Sequence, residues 1–448
     1  MKSMFARGIS RITSERFRRV GREAVLVSLG QAAAIIGSLF GVRLLTGLLS
    51  PKVYGELALA MTASTLVSQV ILGPISTGAM RFYGVAKDAG NFRDYLAAVC
   101  NLAFKATGTL LFVVVIVVGL VLTWQANWVL LGVMALVFAL ISGFNSVLSG
   151  IQNAARQRTV VAFHQGLETW LRFLIAAGLI LWIGARSNVA LLGYVLAVLI
   201  VFVSQLAFFK RFVCTAEAHN PQGAKAKTQW EKQIFNYSWP FAFWGVFTWV
   251  QMATDRWSLQ LLGSGHDVGL YAALYQIGYY PISIAAGLVV QFVAPIMFQR
   301  AGDAENMQKM KHVYELNWYL IYIALGLTAF GFVIAFLFHD FIFRVFVAAE
   351  YWSVAYLLPW MVLAGGLFAS GQTAVLNLLS FRETRPLILP KVVTATIGVG
   401  LNYLGAAMFG IPGVVAACIV FGGVYLVWIL ILTVFKHKQL VSSGDACI

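Results

Sequence analysis

Runs of roughly 20 mainly apolar residues, broken by short polar or Gly/Pro punctuation, recur along the whole chain. A helix needs about 20 such residues to cross a hydrocarbon core of about 30 Å. The runs fall at 24–49, 56–80, 96–122, 128–150, 160–184, 188–209, 234–262, 269–298, 312–338, 354–380, 386–409 and 412–435. The pattern predicts twelve spanning helices and hence an all-α polytopic membrane protein. The longest inner polar interruption, 210–233, contains the run HNPQGAKAKTQ from His219 to Gln229 and follows the sixth span. It reads as a flexible joint between an N-lobe, 24–209, and a C-lobe, 234–435, with a basic N-terminus at 1–23 and a tail at 436–448. The apolar run after Arg22 exceeds the 7 to 15 residues of a signal-peptide core, so the first span is expected to be retained.

Composition agrees with this pattern. Of 448 residues, 60% are hydrophobic and 11% charged, with 33 Phe, 16 Tyr and 13 Trp, and the mean hydropathy is +0.82. That is more apolar surface than one soluble core hides from water, so lipid must cover much of it. The net charge of +15 points to loops facing anionic lipid rather than to nucleic acid. Sorting the cations by side leaves Lys52, Arg186 and Arg344 in one set of loops and Arg43, Lys105, Arg172 and Arg256 inside spans; the rest, seven of them ahead of residue 23, fall in the opposite set. Positive residues mark cytoplasmic loops, so both termini are expected in the cytoplasm.

Metal and disulfide chemistry find no support. Cys100, Cys214, Cys418 and Cys447 form no CxxC pair, and the six histidines form no HExxH. No cofactor is expected.

Two stretches repeat across the joint. RLLTGLLSPKVYGELALA begins at Arg43 and RWSLQLLGSGHDVGLYAAL at Arg256. In each, Leu-Leu follows five residues after Arg (Leu48-Leu49, Leu261-Leu262), then a turn leads to Gly55 or Gly269 and to Ala58 or Ala272. Six spans per half make the halves parallel repeats about an axis along the membrane normal. With LLSPKVYGELALA (Leu48–Ala60) and STGAMRFYG (Ser76–Gly84, with Arg81-Phe82), the chain resembles the polysaccharide (Wzx-type) flippases. These belong to the multidrug, oligosaccharidyl-lipid and polysaccharide exporter superfamily. The resemblance implies a MOP/MATE-like fold of two six-helix lobes in a bacterial inner membrane. It also implies movement of an undecaprenyl-pyrophosphate-linked oligosaccharide from the inner to the outer leaflet, for O-antigen, capsule or exopolysaccharide. Polysaccharide polymerase or export proteins would be partners, beside membrane lipids and a coupling ion, proton or sodium.

Charges inside spans carry the chemistry, since each costs roughly 2.5 to 3.5 kcal/mol at a helix centre. Arg43 and Arg256 sit in the outer halves of spans 1 and 7 as repeat counterparts. Either they snorkel to headgroups, or they form a symmetric pair holding phosphate or acidic sugar. Lys105, about nine residues into span 3, lies too deep to snorkel without strain. With Arg81 at the mouth of span 2 it would offer a pyrophosphate cations at successive depths. Glu168 and Arg172 are spaced i, i+4, which suits an intrahelical pair or a cavity lining. Asp255 adjoins Arg256 but points about 100° away from it, so it reads as a coupling site or a salt bridge to another helix.

Aromatics crowd the second half: Trp239, Phe241, Phe243, Trp244, Phe247 and Trp249 in span 7, and Tyr271, Tyr275, Tyr279 and Tyr280 in span 8. Tyr271, Tyr275 and Tyr279 at i, i+4, i+8 form a stripe for sugar stacking or for packing. Pro74, Pro240, Pro281, Pro295 and Pro359 mark kinks, and Gly37 and Gly41 mark a close helix contact. No nucleotide motif appears, and no enzyme is expected. Two other functions compete: a multidrug exporter, which would favour acidic cavity residues, and a polysaccharide polymerase or ligase, for which only 339–353 offers an outer loop, with His339, Asp340, Arg344 and Glu350.

Overall fold

A computed structural model describes residues 28–121, 126–216, 224–301, 307–380 and 385–445. The basic N-terminus expected at 1–23 lies outside the described residues, as does the centre of the joint, 217–223. The described residues are helical and carry no strand. In chain order the helices are α1 (Ser28–Leu48), α2 (Pro51–Asp88), α3 (Phe92–Val121), α4 (Ala126–Ala154), α5 (Arg158–Ile183), α6 (Ser187–Ala216) and α7 (Ala224–Leu262). There follow α8 (Gly265–Gly278), α9 (Tyr280–Ala301), α10 (Met307–Phe346), α11 (Leu358–Ser380), α12 (Ile388–Phe409) and α13 (Ile411–Asp445).

Ten of these stretches are long and apolar enough to cross a membrane. The pair α8–α9 and the helix α7 carry the two remaining apolar runs. In α7, Trp, Tyr and Pro stand where aliphatic residues would otherwise give high hydropathy. Each of these helical stretches coincides with one of the twelve apolar runs. The ends differ most at the start of α7, which is Ala224, and at the end of α13, which is Asp445, so 210–216 and 224–233 of the expected joint and 436–445 of the expected tail are helix.

Breaks in the helices have local causes. Ahead of Pro74, α2 passes through a π-helical turn, Ser68–Leu72, where the Gly73 amide donates to the Ser68 carbonyl; proline supplies no amide for the regular ladder. The break at Tyr279 between α8 and α9 precedes Pro281 in the same way. At its start α8 is fixed by a capping box, in which Ser264 and Asp267 exchange side-chain to backbone hydrogen bonds. Kinking in α10 occurs at Phe338, whose φ of −125° and ψ of 18° leave the helical region, and a 3₁₀ stretch, Ala349–Leu357, leads into α11.

Two compact units emerge, with boundaries inside helices. Among the described residues the first comprises 28–38, 67–121, 126–176, 192–216 and 224–243. Its core gathers Leu72, Tyr95, Val99, Ile151, Trp230 and Ile234, so the start of α7 is part of it. A Cβ on Gly78 would stand 2.3 Å from the Ser238 hydroxyl, so α2 and α7 touch at backbone distance there. Gly37 is likewise pressed on Trp170, whose indole N–H donates to the Ala33 carbonyl at 3.2 Å.

The second unit comprises 39–66, 177–191 and 244–448. Glycines allow close approaches in it: Gly366 against Thr328, Gly371 against Tyr425, and Gly405 against Gly413. Ile321, Ala374, Tyr425 and Ile429 interlock α10, α11 and α13.

Candidate functional site

In the first unit, Lys105 has a partner that the sequence did not reveal. Its ammonium lies 2.7 Å from the Glu231 carboxylate at the start of α7. Asn101, one turn earlier on α3, donates to the other oxygen of the same group. The Lys105 side chain is 63% exposed and that of Glu231 14%. Burial pushes the Glu231 carboxyl up, but the hydrogen bonds from Lys105 and Asn101 outweigh it and hold the group below the usual carboxylate range. Glu231 was assigned to the joint, and only the i, i+4 spacing of Asn101 and Lys105 hinted at a shared acceptor. Lys105 is therefore a paired cation, not a lone charge stranded in the span. Arg81 is exposed on α2, next to Phe82, whose ring meets Trp230 and Tyr237.

Glu168 and Arg172 do not form the ion pair their spacing suggests. Glu168 accepts from the Asn145 amide at 3.4 Å. The Arg172 guanidinium stands 5.0 Å from the Phe173 ring centre and 5.2 Å from that of Tyr194, and its buried Nε has no hydrogen-bond partner. The aromatic faces draw the planar cation away from the acid.

In the second unit, Asp255 is 4% exposed and fully engaged. It accepts from the Tyr271 hydroxyl at 2.7 Å and from the Arg256 backbone amide at 2.7 Å, and the Arg256 guanidinium lies 3.5 Å away. The expectation that neighbours about 100° apart could not meet is corrected: the long arginine side chain folds back, donating also to the Met252 carbonyl at 3.1 Å. The guanidinium sits 4.3 Å from the centre of the Tyr275 ring. Cys418 approaches the Tyr271 hydroxyl at 3.5 Å.

The tyrosine stripe packs on itself. Tyr275 stacks on Tyr279 at 4.7 Å, and Tyr279 continues to Phe368 at 6.4 Å. Tyr271 is fully buried, so in this conformation its face offers no platform for a sugar. Trp249 is also committed, its indole donating to the Thr62 carbonyl at 2.7 Å, whereas Trp239, Phe241 and Phe243 are exposed.

Arg43 differs from its repeat counterpart. Its guanidinium donates to the Val347 carbonyl. The Thr46 hydroxyl accepts from the Ala348 amide at 3.2 Å, and Tyr351 donates to the Leu49 carbonyl at 2.8 Å. The end of α1 is thereby pinned to the segment that follows α10. The two arginines are not a matched pair of free cations, because Asp255 beside Arg256 is replaced by Val42 beside Arg43. The repeated turns themselves meet: a Cβ on Gly55 would stand 2.2 Å from the Gly265 carbonyl oxygen and 2.8 Å from the Gly269 nitrogen.

Comparison with solved structures places the fold. An inward-facing multidrug resistance MATE family transporter of the MOP superfamily is 16% identical, with a TM-score of 0.62 over 94% of this chain and 96% of that one. The lipid II flippase MurJ in an inward closed conformation is 12% identical, with a TM-score of 0.62 over 93% and 90%. A MOP superfamily transporter from Pyrococcus furiosus, described as having reversed binding-pocket polarity that suggests a different function, is 15% identical, with a TM-score of 0.58 over 94% and 96%. No curated protein matches the sequence. The fold is thus that of the MOP exporters, and the chain is a multi-pass membrane protein. Residues 20–300 match the polysaccharide biosynthesis protein family, and the chain belongs to that family.

Proposed function

We propose that this protein is a flippase that carries an undecaprenyl-pyrophosphate-linked oligosaccharide from the inner to the outer leaflet of a bacterial inner membrane by alternating access. The observation that carries the reading is Arg172, a guanidinium held between two aromatic rings inside a span, with a buried Nε left without a partner, in a member of a polysaccharide biosynthesis family. An unpaired cation at that depth is costly unless an anion visits it. Arg172 therefore binds phosphate or acidic sugar, Arg81 and Lys105 lie on the cytoplasmic entry route, and Arg43 and Arg256 lie toward the exit. Tyr271 and Tyr275 position Arg256. Both termini lie in the cytoplasm, and the two six-helix lobes, 24–209 and 234–435, alternate.

Of the two acids within the spans that are candidates for ion coupling, Asp255 and Glu168, Glu168 serves it in this reading. Glu168 has one long hydrogen bond, whereas Asp255 has two short ones and a cation, so replacing Glu168 by a neutral residue breaks fewer contacts. A polysaccharide polymerase or export protein receives the flipped cargo.

Deleting the gene in its host tests the reading. Loss of surface polysaccharide with lipid-linked oligosaccharide trapped on the inner leaflet supports it. Unchanged polysaccharide with heightened sensitivity to cationic drugs would move the protein to the multidrug branch, which the MATE-like fold also accommodates.

A further inference from the structure

Lys391 lies in the first turn of α12 and was counted in the sequence as a cytoplasmic loop charge. A lysine so near a helix end ordinarily extends its stem outward, to water or headgroups. Here the residue is half-buried and its ammonium lies 4.5 Å from the centre of the Trp244 ring, in the middle of α7 beyond Pro240.

Three of the other cations within the spans differ from it, whereas Arg172 likewise rests on aromatic rings. Lys105 has Glu231, Arg256 has Asp255, and Arg43 has a carbonyl oxygen. No carboxylate reaches ion-pair distance of Lys391 among the described residues. The ring quadrupole recovers part of what the ammonium loses on leaving water, and leaves its positive charge uncancelled. A lysine ammonium is a compact donor well suited to phosphate oxygens.

We infer that Lys391, held over Trp244, is a binding residue for the phosphate-bearing head of the transported lipid. The inference rests on the reading above that the cargo carries pyrophosphate and enters from the cytoplasmic side, where α12 begins. The indole face keeps the ammonium inside the protein and limits its search, so the head meets a positioned cation rather than a mobile one.

A phosphate group can come from the cargo or from a bulk phospholipid, and binding measurements separate the two. The purified full-length protein is titrated with undecaprenyl pyrophosphate and, in parallel, with phosphatidylglycerol. K391M keeps the stem and removes the charge; it should weaken undecaprenyl pyrophosphate binding roughly tenfold, while K391R stays within about threefold of the wild type. W244A should lie between them, and phosphatidylglycerol binding should not change. Wild-type affinity in a monodisperse K391M protein would overturn the inference, and so would an equal loss for both lipids, which would mark a headgroup site. Failure of the wild type to bind undecaprenyl pyrophosphate would instead remove the pyrophosphate reading itself.

Discussion

Gly55 and Gly269, which occupy equivalent places in the two repeated turns, meet backbone to backbone. A Cβ on Gly269 would stand 1.8 Å from the Pro51 carbonyl oxygen, and one on Gly55 2.8 Å from the Gly269 nitrogen. Backbone atoms cannot step aside as a flexible side chain can, so the start of α2 and the start of α8 fit together only while both positions lack a side chain.

Substitution at this contact should therefore be costly. Gly269→Ala and Gly55→Ala are each expected to destabilise the protein by about 1–3 kcal/mol, the usual cost of overpacking a tight contact. Gly47, on α1 with open space where its Cβ would go, is the control. There Ala should be neutral or stabilising by about 0.5–1 kcal/mol through helix propensity. Thermal unfolding in detergent reads all three, and a Gly269→Ala protein as stable as Gly47→Ala would show that the turns need not touch.

Asp255 gives a second test. Removing its carboxylate leaves the Arg256 charge and the Tyr271 hydroxyl without their acceptor in a buried place. Asp255→Ala should cost about 3–5 kcal/mol, as breaking one side of a buried pair does. Tyr271→Phe removes one hydrogen bond to a charged group and should cost about 1.5–3 kcal/mol. The double substitution should cost less than the two added together, because Tyr271 has no carboxylate to bond once Asp255 is gone. Strict additivity in a double-mutant cycle would refute the contact.

Much of this architecture was legible in the sequence, because span length and cation placement follow from bilayer thickness and charge cost. All twelve apolar runs fall on helices for that reason, ten of them in stretches long and apolar enough to cross a membrane. The partners of the charges were not legible. Asp255 and Arg256 looked divergent because helix geometry fixes where Cβ points, not how far a long side chain bends back. Glu168 and Arg172 looked paired because spacing records proximity and omits the competing rings of Phe173 and Tyr194. Glu231 and Lys391 were read as loop charges, since one-dimensional counting could not see the extension of α7 to Ala224 or the place of Trp244 beside α12.

The Lys105–Glu231 contact predicts a defined pH response. Glu231 is held below its ordinary range in the folded protein, so its contribution is complete above the unfolded value of about 4.3 and is lost as pH falls through the lower folded value. With Lys105 largely exposed, the pair should be worth about 0.2–1 kcal/mol. The stability gap between wild type and Glu231→Gln should accordingly stay flat from neutral pH to about 5.5 and close in stronger acid. A gap that widens on acidification would contradict this assignment.

Glu168 is a half-buried acid and Asp255 a buried one, and their surroundings separate them. Asp255 is held by Tyr271, by a backbone amide and by Arg256, so neutralising it breaks structure. Glu168 accepts a single 3.4 Å bond, from Asn145, and Arg172, which rests on its rings, acts on it through space without an ion pair. Neutralising Glu168 therefore breaks little, as the coupling role proposed for it requires. Glu168→Gln is expected to shift stability by less than about 1 kcal/mol, the net worth of one ordinary hydrogen bond. In proteoliposomes carrying the lipid-linked substrate, the same variant should flip cargo at a rate that no longer responds to an imposed proton or sodium gradient. Asp255→Asn should lose stability first and transport only as a consequence. Gradient-driven transport by Glu168→Gln at the wild-type rate would place the coupling elsewhere and leave Glu168 as a partner for Asn145 alone.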